Sequence, residues 1–88
     1  MPKVFVGNIP FTADESLMRD LFASFGPVAI SKIIRERDSG RSLGFGWVEL
    51  MDDEAAVSAA AALHGRDWMG RKIRTALMRP SDNRPRIA

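Results

Sequence analysis

Residues 43–50 read Leu43-Gly44-Phe45-Gly46-Trp47-Val48-Glu49-Leu50, and their alternation predicts a strand over 44–50. Residues two apart in a strand share a face. Phe45 and Trp47 therefore stand together on one side, and Gly46, Val48 and Leu50 point to the other. Glycine weakens a strand interior, so two glycines around Phe45 predict that something flat approaches the backbone closely there. A second stretch, Lys3-Val4-Phe5-Val6-Gly7, repeats the division, with Val4 and Val6 on one face and Lys3 and Phe5 on the other. Alternating aromatics more often mark a strand with its rings in the core. Here the Val and Leu parity leads into alanine-rich helical sequence and makes the better core side. The rings are left for an open face, where unpaired bases stack on aromatics.

Outward from these strands the chain alternates in a definite order. Thr12 with Glu15 fits a capping box. Leu17, Leu21, Phe22 and Phe25 then recur at helical spacing, which predicts a helix over about 13–25, stopped by Gly26-Pro27. Residues 28–36 are β-branched enough for a strand, and Asp38-Ser39-Gly40-Arg41 is a turn joining it to 44–50 as a hairpin. Asp52, Asp53 and Glu54 open a second helix that runs through Ala55–Leu63 and ends at Gly65. Residues 66–71 read as a connecting turn and 72–78 as a fourth strand. The order β-α-β-β-α-β, with right-handed crossovers, predicts an α+β, ferredoxin-like sandwich. Its four-stranded antiparallel sheet has both helices on one face and strands one and three in the middle. Phe5 then neighbours Phe45 and Trp47 on the face the helices leave open.

The chain has 88 residues, which suits one domain near the lower end of what a single core supports. A hydrophobic content of 45% argues against disorder. No apolar run approaches the roughly 20 residues of a membrane span, and the N-terminus does not read as a signal peptide. No membrane association and a cytoplasmic location are the expectations. Without cysteine there is neither a disulfide scaffold nor a thiolate nucleophile or metal site. The net charge of +2 is modest but unevenly spread. Residues 66–88 carry seven basic side chains against two acidic ones, a net of +5, whereas residues 52–65 carry −3. A basic C-terminal third suits a polyanionic partner, although Arg84 and Arg86 also suit a solvated tail.

The residues quoted above resemble the RNA recognition motif over about residues 2–80. Residues 43–50 are similar to the family octapeptide K/R-G-F/Y-G/A-F-V-x-F/Y, and Val4-Phe5-Val6-Gly7-Asn8-Ile9 resembles its shorter hexapeptide. Three positions depart from the octapeptide: Leu43 replaces Lys or Arg, Trp47 replaces Phe, and Leu50 replaces an aromatic on the core side. The short form, with Asp67-Trp68-Met69-Gly70-Arg71 before the last strand, is similar to the small single-motif RNA-binding proteins of bacteria. The resemblance implies a motif domain over 1–80 and a short flexible basic tail over 81–88. It implies stacking of bases on Phe5 and Phe45, with Trp47 beside the sugars. Lys3, Lys32, Arg74 and Arg79 are the flanking cations expected at phosphates. Asn8 is expected to stabilise the turn after strand one. Single-stranded RNA is the implied ligand and single-stranded DNA a weaker one. The protein is expected to act as a monomer in post-transcriptional regulation, without a cofactor.

Two other classes compete. Some relatives capture a peptide on the helix side through an Arg-x-Phe loop, which Arg66-Asp67-Trp68 resembles, so a protein partner stays open. Those relatives commonly lose the sheet aromatics, and here all three remain. An enzyme is disfavoured: His64 is the one histidine, no nucleophile–base pair is suggested, and Asp52-Asp53-Glu54 suits the helix dipole better than a metal. No catalytic or metal-binding residue is assigned.

Overall fold

A valine pair on one face, with Lys3 and Phe5 on the other, makes β1 (Lys3–Gly7) suited to the middle of a sheet, and that is where it lies in the computed structural model. The structure describes residues 1–78; Arg79, Arg84, Arg86 and the tail expected over 81–88 lie outside the described residues. Around β1 the chain forms α1 (Glu15–Ala23), β2 (Val28–Arg35), β3 (Ser42–Leu50), α2 (Asp53–Leu63), β4 (Asp67–Trp68), β5 (Arg71–Lys72) and β6 (Arg74–Met78). Strands β2, β3, β1 and β6 form one antiparallel sheet in that order, and β4 with β5 form a separate two-stranded ribbon. The α+β sandwich expected from the sequence is the fold observed.

One face of the sheet is the core. Val4, Val6, Ile33, Val48 and Leu50 are buried there against Met18 and Phe22 of α1 and against Ala55, Ala56, Ala59 and Leu63 of α2. The alanines contribute little area each, but their small size lets α2 lie close to the strands. Among the described residues the two buried polar side chains are both hydrogen-bonded. Thr75 donates its hydroxyl to the Ala60 carbonyl at 2.6 Å, and the Ser42 hydroxyl accepts from the Gly44 amide at 3.1 Å.

The first helix differs from its sequence reading in two respects. Its cap is Asp14, whose carboxylate accepts from the Leu17 amide at 2.8 Å, and Thr12 takes no part. The buried stripe is Met18 and Phe22 with Leu21 and Phe25 beside them, whereas Leu17 is 40% exposed. Leu21, Phe22 and Phe25 face the protein as their spacing predicts; Leu17 alone turns outward, and Met18 is buried in its stead. Glu15 is thereby released from a capping box for another task. Its carboxylate accepts from Arg35 Nη2 at 3.0 Å and from the Ile33 amide at 3.3 Å, while its carbonyl accepts from the Ser31 hydroxyl at 2.9 Å. This ties the start of α1 to β2, an outer strand, and covers part of an edge that could pair with another chain. The Arg35 hydrogen bond, foremost, holds the Glu15 carboxyl below its usual range. The contribution of this tie is therefore present at neutral pH and is lost as acidification protonates Glu15.

Residues 66–71 are not a simple connecting turn. They build the β4–β5 hairpin, whose two-residue turn places both Met69 and Gly70 at positive φ, 52° and 93°. That is the primed turn geometry that suits a tight hairpin. Trp68 packs against the core from this hairpin. The Arg66-Asp67-Trp68 stretch is thus part of a folded ribbon with its ring turned to the protein.

Candidate nucleic-acid interface

The strand register arranges the open face as three rows. Reading from β2 across to β6, the first row is Ile30, Glu49, Lys3 and Met78, and the second is Lys32, Trp47, Phe5 and Ala76. The third is Phe45, Gly7 and Arg74 on β3, β1 and β6. Directly paired residues project on the same side of a sheet. The expected ring set therefore meets on one surface, with Phe5 opposite Trp47 and diagonal to Phe45. Phe5 leans into the space above Gly7, and its ring centroid comes to 6.4 Å from that of Phe45 with planes 32° apart. Phe5 is 36% exposed and Phe45 40%, so each offers a flat face to solvent. Trp47 is half-buried, with the Lys3 ammonium 5.7 Å from its ring centroid. Lys32 stands across from Trp47 on β2, and Arg74 stands one strand beyond Gly7. Lys3, Lys32 and Arg74 thus border the rings on three sides. Arg79, the fourth expected cation, lies outside the described residues.

The glycines of β3 have a different cause from the one expected. What approaches Gly46 is the neighbouring strand. A Cβ there would overlap the Lys32 carbonyl oxygen and lie 2.9 Å from Ile33 Cα. The close approach coincides with an irregularity of β2, whose pairing with β3 shifts between Ile33 and Arg35. Gly44 is needed for its backbone: φ is +88°, and its carbonyl accepts from the Ile9 amide at 2.8 Å.

A second group, Asn8 with Arg71, stands at the border of the rings. Asn8, at φ 57°, donates to the Lys72 carbonyl at 2.8 Å, and its amide oxygen accepts from Arg71 Nε at 3.2 Å and Nη2 at 2.5 Å. The expected role of Asn8 in the turn is extended to a tie between the end of β1 and the β5 strand. The sequence places Arg71 in the basic C-terminal third and before the last strand, not at the rings. Placing it beside the open face requires the β4–β5 hairpin, which leaves little periodicity to read. Among the described residues no three His, Asp or Glu side chains are placed to hold a metal ion, and no helix is long and apolar enough to cross a membrane.

An antiparallel sheet with helices on one face and exposed aromatics on the other defines a class of single-domain binding modules. The family model for the RNA recognition motif matches residues 4–74, and the chain belongs to that family. Over 71 residues it is 42% identical to human cleavage stimulation factor subunit 2, covering 81% of this chain but 12% of that protein. It is 40% identical over 83 residues to the mitochondrial glycine-rich RNA-binding protein 2 of Arabidopsis thaliana, covering 94% of this chain and 51% of that one. Among solved structures, the Rna15 RRM with bound RNA (GU) superposes with a TM-score of 0.80 at 31% identity, over 91% of this chain and 85% of that one. The chain spans about half or less of the length of these curated relatives. They are animal and plant proteins, and they do not support the resemblance to the bacterial type.

Proposed function

We propose that this domain binds short stretches of unpaired RNA on its open sheet face and serves in post-transcriptional regulation. The observation that carries this reading is the pair of exposed phenylalanines, Phe5 and Phe45, held 6.4 Å apart on adjacent strands. Two to four nucleotides cross the sheet. One base stacks on Phe5, the next on Phe45, and Trp47 lies against a ribose. Lys3, Lys32 and Arg74 meet phosphates, with Arg79 a further candidate. The bound RNA of the Rna15 RRM supports the ligand class. The domain acts by binding and carries out no chemistry. Single-stranded DNA fits the same rings as a weaker ligand.

A fluorescence titration comparing random short single-stranded RNAs with duplexes of the same length, at two salt concentrations, tests this. Single strands should bind, and affinity should fall with salt by a log–log slope of about 0.7 per phosphate contacted. The duplex should bind much more weakly, because its bases are not free to stack on the rings. Equal binding of both would overturn the proposal.

A further inference from the structure

Glu49 stands on the open face of the sheet, in the first row, between Ile30 on β2 and Lys3 on β1. A face that met only phosphates would gain nothing from an acid there, because like charges repel. The neighbours of Glu49 do not neutralise it. Lys3 pairs with it directly across the strands, yet the Lys3 ammonium lies over the Trp47 ring, 5.7 Å from its centroid. Among the described residues the one salt bridge joins Arg35 to Glu15, and Glu49 has no cationic partner. Glu49 is partly exposed and Ile30 beside it is exposed, so the carboxylate is open to a ligand. Two of its neighbours, Lys3 and Trp47, line an apolar recess of about 320 Å³ together with Phe5, Ile34, Phe45 and Met78. Phe5 is the diagonal neighbour of Glu49 in the β1–β3 pair. Such neighbours stand about 7–8 Å apart, a gap that a glutamate side chain and the edge of a stacked base close between them. Phe45 lies a row further away.

We propose that Glu49 reads the base stacked on Phe5 and selects guanine there. The inference rests on the RNA-binding reading above. A carboxylate only accepts hydrogen bonds, and an unpaired base leaves its Watson–Crick edge free. Guanine presents two adjacent donors on that edge, N1–H and the 2-amino group, which match the two carboxylate oxygens. Adenine and cytosine each present one amino donor beside a ring-nitrogen acceptor, and uracil presents one N–H between two carbonyls. Each of these three sets a lone pair against the carboxylate. Glu49 thus favours guanine by two hydrogen bonds and disfavours the other bases by repulsion, and specificity is the difference between the two. The acid weakens attraction for the strand as a whole and compensates only where guanine lies.

The test is a short oligouridine whose central base is uracil, adenine, cytosine, guanine or hypoxanthine, titrated against the unaltered protein, Glu49→Gln and Glu49→Leu. For the unaltered protein, guanine should raise affinity by about 5- to 150-fold over the uniform strand, the range of one bidentate base contact. Adenine and cytosine should gain less. Hypoxanthine, which lacks the 2-amino group, should keep only part of the guanine gain. Glu49→Gln, with one acceptor left, should lose part of the guanine advantage, and Glu49→Leu should lose it altogether. Both variants should bind the uniform strand more tightly than the unaltered protein does, because the repulsion is gone, and both should melt at its temperature. No advantage of guanine over uracil in the unaltered protein, or an advantage that survives Glu49→Leu, would overturn the assignment while leaving binding on the sheet intact. An equal loss on every strand in Glu49→Leu, as a contact to a 2′-hydroxyl would give, would overturn it as well. Failure of the unaltered protein to bind any of these strands would overturn the underlying reading, and the base preference with it.

Discussion

Phe45→Ala and Phe5→Ala are each expected to weaken binding of unpaired RNA by about 5- to 150-fold, the equivalent of about 1–3 kcal/mol per stacked base. Neither should unfold the protein. Both rings stand on the face opposite Val4, Val6 and Val48, are more than a third exposed, and are absent from the buried cluster. The double variant should lose less than the sum of the two if the rings, at 6.4 Å and 32°, hold one run of stacked bases between them. Binding titrations paired with thermal melts separate the possibilities. A melting temperature that collapses with the ring would place it in the core, and unchanged affinity would remove it from the interface.

Gly46→Val should have the opposite signature, a large loss of stability with the rings untouched. The added Cβ meets only backbone, the Lys32 carbonyl and Ile33 Cα, and backbone cannot swing aside as the end of a side chain can. Relief requires β2 to move away from β3 where Ile33 enters the core. The cost should reach or exceed the upper part of the roughly 1–3 kcal/mol typical of overpacking. Gly46→Ala, which adds the Cβ alone, should show a smaller part of it. Chemical denaturation measures both. A Gly46→Val protein as stable as the unaltered one would mean that the approach of β2 is not what demands glycine there.

Much of this was legible in the sequence because period-two alternation is strong where one face of a strand is buried and the other is open. Lys3–Gly7 and residues 44–50 carry that signal in full, so the fold and the shared parity of Phe5, Phe45 and Trp47 followed. In the first helix Leu21, Phe22 and Phe25 are legible from their spacing, whereas Leu17 looks as apolar as the buried Met18 and is exposed. The β4–β5 hairpin was missed because two-residue strands have no period, and Met69 at positive φ is a poor turn signal. Arg71 went with it, since it meets Asn8 only once that ribbon is folded against the end of β1. The two glycines of β3 were noticed as informative, but their cause lies in β2 and in a left-handed backbone angle.

Amide shifts of isotope-labelled protein, followed by NMR as a short single-stranded RNA is added, test the central claim most directly. The largest changes should fall on β1 and β3, at Phe5, Phe45 and Trp47, and spread to Lys3, Lys32 and Arg74. Leu17, Val57 and Trp68, on the helices and the hairpin, should stay where they are. Shifts centred on α1, α2 and Trp68 with the sheet unmoved would contradict the account.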